Sequence, residues 1–255
     1  MEKKNVVIII SVTILIAISI WFFALRPDSG QPLVNFECEN LERAVAETLN
    51  IPAGEITKGD MLKLNVLDTL GYPGRKKEEK ITDLTGLEYA VNLTNLWPSD
   101  NQITDITPLA GLVNLRRLSL SRNQITDITP LAGLVNLTAL DLFNNQIIDI
   151  TPLAGLVNLT YLDLSHNQII DITPLAGLVN LTGLILSDNQ IIDITPLVRL
   201  VNLTELWLSH NQITDITPLA GLVNLRTLGL SGNPFGEAAK QYIEILRVRG
   251  VDVRF

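Results

Sequence analysis

The sequence predicts an α/β repeat solenoid: a curved parallel sheet with N- and C-terminal helical caps, preceded by a transmembrane helix. Three observations predict it. The phrase "NQITDITPLAGLVNL" beginning at Asn101 returns nearly verbatim from Asn123, Asn145, Asn167, Asn189 and Asn211, and its asparagine recurs at Asn233, always 22 residues on. Leucines and isoleucines recur at fixed places inside each unit. An uncharged apolar run, Val6–Leu25, stands ahead of all of them. Self-similarity at a fixed period marks a stacked architecture, because a unit this small cannot bury its own apolar face without neighbours.

In chain order, residues 1–25 read as a signal-anchor. Val6–Leu25 has about the length a bilayer-spanning helix needs. Trp21, Phe22 and Phe23 sit at its far end, where an aromatic belt belongs. The exit, "FFALRPDSG", offers no small-x-small cleavage site, so an uncleaved anchor is favoured over the alternative, a cleaved signal peptide. Lys3 and Lys4 before the span against Arg26 after it favour an inside N-terminus, with the remainder outside the cytoplasm. Residues 26–35 form a linker.

Residues 36–80 read as an N-terminal helical cap and loop. Leu41, Ala44, Val45, Thr48 and Leu49 fall at helical spacing. "TKGD" (Thr57–Asp60) has the form of a capping box ahead of a second helix holding Met61, Leu62 and Leu64. "GYPGRKKEEK" does not continue the period and reads as an exposed loop with a solvated charge run.

Residues 81–233 carry the repeats. The unit from Leu115 reads L-x-x-L-x-L-x-x-N (Leu115, Leu118, Leu120, Asn123), followed by Ile125, Ile128, Leu131 and Leu134. This is the leucine-rich-repeat pattern. Leu118-x-Leu120 alternates with period two and predicts a short strand with both leucines on one face. The repeated asparagine can bond backbone groups as a ladder where the chain bends. "ITPLAGL" then makes the return, with Thr129 as a cap for a short helical turn, Pro130 in its first position and Gly133 at its end. Pro98 occupies a leucine slot and cannot donate a ladder hydrogen bond, which predicts a bulge or broken pairing there. Residues 234–255 read as a C-terminal capping helix with Phe235, Ala238, Ala239, Tyr242, Ile245 and Leu246 on one stripe.

The segments "FECENLERAVAETLNIPAGEITKGDMLKL" and "ITDLTGLEYAVNL", with the units that follow, resemble the internalin class of bacterial leucine-rich-repeat proteins across about residues 36–233. The resemblance implies an extracytoplasmic solenoid whose concave sheet binds another macromolecule. The residues themselves offer no phosphate-cradling glycine loop, metalloprotease helix or cysteine pair, so a non-enzymatic module without a cofactor is expected.

The repeated phrase covers core and return path, so variation concentrates in the strand segment. Outward positions there predict a partner-binding concave face made of Trp97, Arg117, Asp141, Phe143, Tyr161, Asp163, Ile185, Glu205 and Trp207. Exposed aromatics of this kind are typical binding anchors. The expected partner is a protein ligand; a cell-wall or surface glycan stacked on Trp97, Tyr161 and Trp207 is the alternative, and a purely structural assembly role is a third reading. A net charge of −8 argues against nucleic acid, which needs a concentrated basic face.

Other signals have plainer readings. Asp105, Asp127, Asp149, Asp171, Asp193 and Asp215 each precede I-T-P, where a carboxylate accepts backbone N–H bonds, so cation binding is not the first reading. Asparagines of the five "NLT" sequons belong to the repeat and are expected to bond backbone. His166, Asp188 and His210 share a column, but its two histidines are about 10 Å apart by strand spacing, too far for a shared zinc. Asp163, Ser165 and His166 contain the letters of a catalytic triad, yet a flat sheet offers no oxyanion hole. Cys38 is expected to be a small, partly buried residue of the cap.

Overall fold

The computed structural model describes residues 30–69 and 79–255. Residues Leu33–Phe255 form one compact unit. The expected transmembrane helix and most of the charged loop lie outside the described residues. Among the described residues no helix is long and apolar enough to cross a membrane.

Among the described residues, nine strands of three residues each build one parallel sheet in strict chain order. They are β1 (Val66–Asp68), β2 (Asn95–Trp97), β3 (Arg117–Ser119), β4 (Ala139–Asp141), β5 (Tyr161–Asp163), β6 (Gly183–Ile185), β7 (Glu205–Trp207), β8 (Thr227–Gly229) and β9 (Asp252–Arg254). Each strand is too short to exist alone, so its stability comes from the neighbours above and below. Register follows the period: Leu118 pairs with Leu140, Leu140 with Leu162, and Leu162 with Leu184. With a side-chain period of two, that pairing sends every central leucine to the same buried face. Burying one such leucine contributes about 1.5–3 kcal/mol, and the stack repeats the gain at every turn.

Two asparagine ladders run along the stack. In the first, Asn123 Oδ1 accepts the Ile103 N–H of the preceding turn at 3.0 Å, while Nδ2 donates to Leu120 O at 2.9 Å and Pro98 O at 3.0 Å. The same set recurs from Asn145 to Asn211. In the second, the sequon asparagines donate to the preceding turn, as Asn136 Nδ2 does to Val113 O at 2.8 Å. The sequons are therefore structural.

The return path is a short 3-10 turn with proline in its first positions, as in Thr129–Leu131. Its start differs from expectation. Thr129 does not cap the turn; it lies inside it, and Asp127 Oδ1 accepts the Thr129 N–H at 2.8 Å. Asp105, Asp149, Asp171, Asp193 and Asp215 do the same in their own turns, the reading expected of this column.

The sheet reaches beyond the repeats at both ends. Helix α1 (Glu39–Leu49) buries Leu41, Ala44 and Val45, and Cys38 is buried beside it. The Thr57–Asp60 capping box is formed, but it opens only one helical turn, α2 (Lys58–Met61). The longer second helix expected here is absent: Leu62 is exposed, Leu64 is buried, and Val66–Asp68 is a strand. Asn65 O, just before that strand, accepts the Thr94 and Asn95 N–H groups, so covering a sheet edge has overridden local helical spacing. At the other end α3 (Glu237–Val248) buries Ala239, Ile243 and Leu246. Ile245, expected on that stripe, is 54% exposed, because the buried face has turned onto Ile243. After Gly250 the chain adds β9, which was not expected, and closes the second edge against β8.

Pro98 has the predicted effect. The β2–β3 ladder keeps two aligned pairs where β3–β4 has three. The Ser99 hydroxyl supplies the donor that Pro98 lacks, reaching Ser119 O at 3.2 Å.

Candidate functional site

The outer face of the sheet is built from positions flanking the buried leucines. One row runs Asn95, Arg117, Ala139, Tyr161, Gly183, Glu205, Thr227 across β2 to β8. The next runs Ser119, Asp141, Asp163, Ile185, Trp207, Gly229 and ends on Arg254; Trp97 occupies the same strand position in β2, opposite Asp68. The residues anticipated from sequence thus share one face: Trp97 and Arg117 lie toward the N-terminal end, Asp141, Phe143, Tyr161 and Asp163 in the middle, and Ile185, Glu205 and Trp207 beyond them.

The aromatics are held differently from one another. Tyr161 is 37% exposed, and its ring edge leans over Gly183 in the next strand. Trp207 leans in the same way over Gly229; its Nε1 donates to Glu205 Oε1 at 2.6 Å, and the Arg254 guanidinium lies 4.9 Å from its ring. A Cβ on Gly229 would collide with the indole. His210 leans over Gly232 as well. In each case an aromatic is followed 22 residues later by glycine, a pairing visible in the sequence once the strands are known to be adjacent. Phe143 belongs to a second line. Arg122 lies 5.5 Å from its ring, His166 meets it edge-on at 5.1 Å, and His166 Nε2 faces Asp188 Oδ2 at 3.3 Å.

Arg122, His166 and Asp188 belong to a column of non-glycine residues with φ between 53 and 57°, from Asp100 to His210. Asparagine, aspartate and histidine tolerate that left-handed region better than other side chains. The column places polar groups where the chain leaves the sheet.

Charge on this face is uneven. Asp141 and Asp163 stand directly opposite each other on β4 and β5. Asp141 accepts from Ser119 Oγ at 2.6 Å and from the Phe143 N–H at 3.0 Å. Asp163 accepts from Ser165 Oγ at 2.5 Å and from the Ser165 N–H at 2.9 Å. Burial pushes the Asp163 carboxyl above its ordinary value; the Ser165 bonds pull it back, and Asp141 adds to the rise. The Tyr161 phenol is pushed up to about 12, by burial first and then by Asp163, Asp141 and Glu205. On the return side the hydroxyl and N–H of the following threonine hold Asp105, Asp127, Asp149, Asp171 and Asp193 below theirs.

The letters of a triad do not assemble into one. Ser165 donates straight to Asp163, and His166 turns to Asp188 in the next turn. Among the described residues, no group of three metal-ligating side chains converges.

Residues 91–238 match the family model for leucine-rich repeats in two copies, in six overlapping windows from 91–133 to 201–238. The chain is similar to internalin C2 of Listeria monocytogenes at 39% identity, covering 80% of this chain and 88% of that one, with a TM-score of 0.74. It is also similar to a leucine-rich-repeat protein of Leptospira interrogans at 28% identity, covering 78% of this chain and 57% of that one, with a TM-score of 0.63. No curated protein matches it.

Proposed function

The chain belongs to the internalin-like leucine-rich-repeat proteins, and on that premise we propose that it is a non-enzymatic, membrane-tethered module whose outer sheet face docks a protein outside the cytoplasm. One observation carries the reading. Tyr161, Phe143, Ile185 and Trp207 stand on the outer face of strands whose leucines are wholly buried beneath them. Apolar side chains on a rigid, hydrogen-bonded scaffold are preorganised, so association orders few groups. The tether rests on the uncharged run Val6–Leu25 and its flanking charges. A stacking platform for glycan has less behind it, because Arg254 lies over the Trp207 ring and takes one of the three stacking aromatics, leaving Trp97 on β2 and Tyr161 on β5, in different rows.

The test places a photo-crosslinking amino acid at Tyr161 or at Asn136, on the second asparagine ladder, in the intact chain in its native membrane. Capture of one protein species from position 161 and none from 136 supports the reading. Equal capture from both positions, or capture of glycan alone, refutes it.

A further inference from the structure

The outer face carries opposed charges at a defined separation. Asp141 and Asp163 are neighbours in register on adjacent strands, an arrangement that destabilises a sheet unless something offsets it. Among the described residues, neither they nor Glu205 has a basic partner within ion-pairing distance. Their bonds come instead from Ser119, Ser165, backbone N–H groups and the Trp207 indole, which leave the charge in place. Tyr161 stands in the middle of the three with its ring partly open. Two strands away, about 10 Å by strand spacing, Arg117 is exposed on the row that holds Tyr161.

We infer that this face takes a protein segment bearing a lysine or arginine side chain, seated against the Tyr161 ring between Asp141, Asp163 and Glu205, with an acidic residue of the same segment meeting Arg117. The inference rests on the docking reading and adds the chemistry of the partner. A cation over a tyrosine ring is attracted by the ring's own field, and three carboxylates around that ring strengthen the attraction. The incoming charge also relieves the Asp141–Asp163 repulsion, so binding and stability are linked: the free protein carries a strain that the partner removes. The Arg117 contact sets direction along the stack, because a segment laid in reverse would put its base on the arginine.

The experiment pans a library of short displayed peptides against the intact chain, then measures the enriched peptides on Asp141→Asn/Asp163→Asn, Glu205→Gln and Tyr161→Ala. The expected result is enrichment of lysine or arginine with an acidic residue a few positions away. Affinity should fall at least about tenfold on the double variant and fall as salt rises from about 50 to about 500 mM. The double variant should melt no lower than the parent; should it fail to fold, Glu205→Gln, which keeps the Trp207 hydrogen bond, must still weaken binding. Peptides that lose affinity on Tyr161→Ala but show no basic enrichment overturn this inference and leave the docking reading standing. Peptides indifferent to Tyr161→Ala overturn both.

Discussion

Replacing Asn145 by alanine tests the internal ladder. Its Oδ1 accepts the buried Ile125 N–H at 3.0 Å. Its Nδ2 donates to Leu120 O at 3.0 Å and Leu142 O at 3.1 Å. Those two carbonyls keep a donor each when Asn145 is lost, because Asn123 also reaches Leu120 O and Asn167 also reaches Leu142 O. The substitution therefore orphans one buried donor and weakens two acceptors. An orphaned buried N–H costs about 1–3 kcal/mol, and each weakened carbonyl about 0.5 kcal/mol, for a total of about 2–4 kcal/mol. Asn136→Ala is the internal control. Its amide is exposed and bonds Val113 O at 2.8 Å, where water can replace it, so the loss should stay below about 1 kcal/mol. Urea unfolding followed by circular dichroism gives both values from midpoints at constant slope. Equal losses, or less than about 1 kcal/mol for Asn145→Ala, would show that the reasoning is wrong.

Ser99→Ala should cost about 1 kcal/mol in the same assay, because Ser119 O loses the hydroxyl that stands in for the missing Pro98 donor; no change would mean that water or another group serves there. Asp163→Asn should raise the melting temperature by a few degrees at pH 7. The folded state raises this pKa, so the ionised carboxylate destabilises the fold, and the penalty grows as pH rises through the folded value and is absent below the unfolded one. The gain should therefore vanish by about pH 3, and a pH-independent gain would point to packing instead. The return-side carboxylates have the opposite sign. Asp127, Asp149 and Asp171 have lowered pKa values, so their stabilisation is present above about pH 4 and lost as pH falls through the folded value. Changing all three to asparagine should flatten the acid limb of a thermal stability profile, and an unchanged limb would remove them as its cause.

Much of this protein is written locally. The 22-residue period, the L-x-L alternation and the recurring asparagine specify strands, their stacking order and both ladders, because in a solenoid each turn meets only its neighbours. Asp127 and Pro98 acted as local chemistry requires: a carboxylate accepts a nearby N–H, and an imide nitrogen donates none. The same locality put the outer residues in their rows, since register repeats when the period does. Tertiary structure alone decided the ends. Val66–Asp68 and Asp252–Arg254 lie outside the repeat, and their strand conformation answers the unpaired backbone of β2 and β8, which no window of sequence around them displays. It also decided how the face is used. The tilt of Trp207 over Gly229, its cover by Arg254 and the turning of His166 toward Asp188 depend on residues one turn away or beyond the last turn. Period predicts which side chains face outward. Only packing between turns chooses which of them stay open.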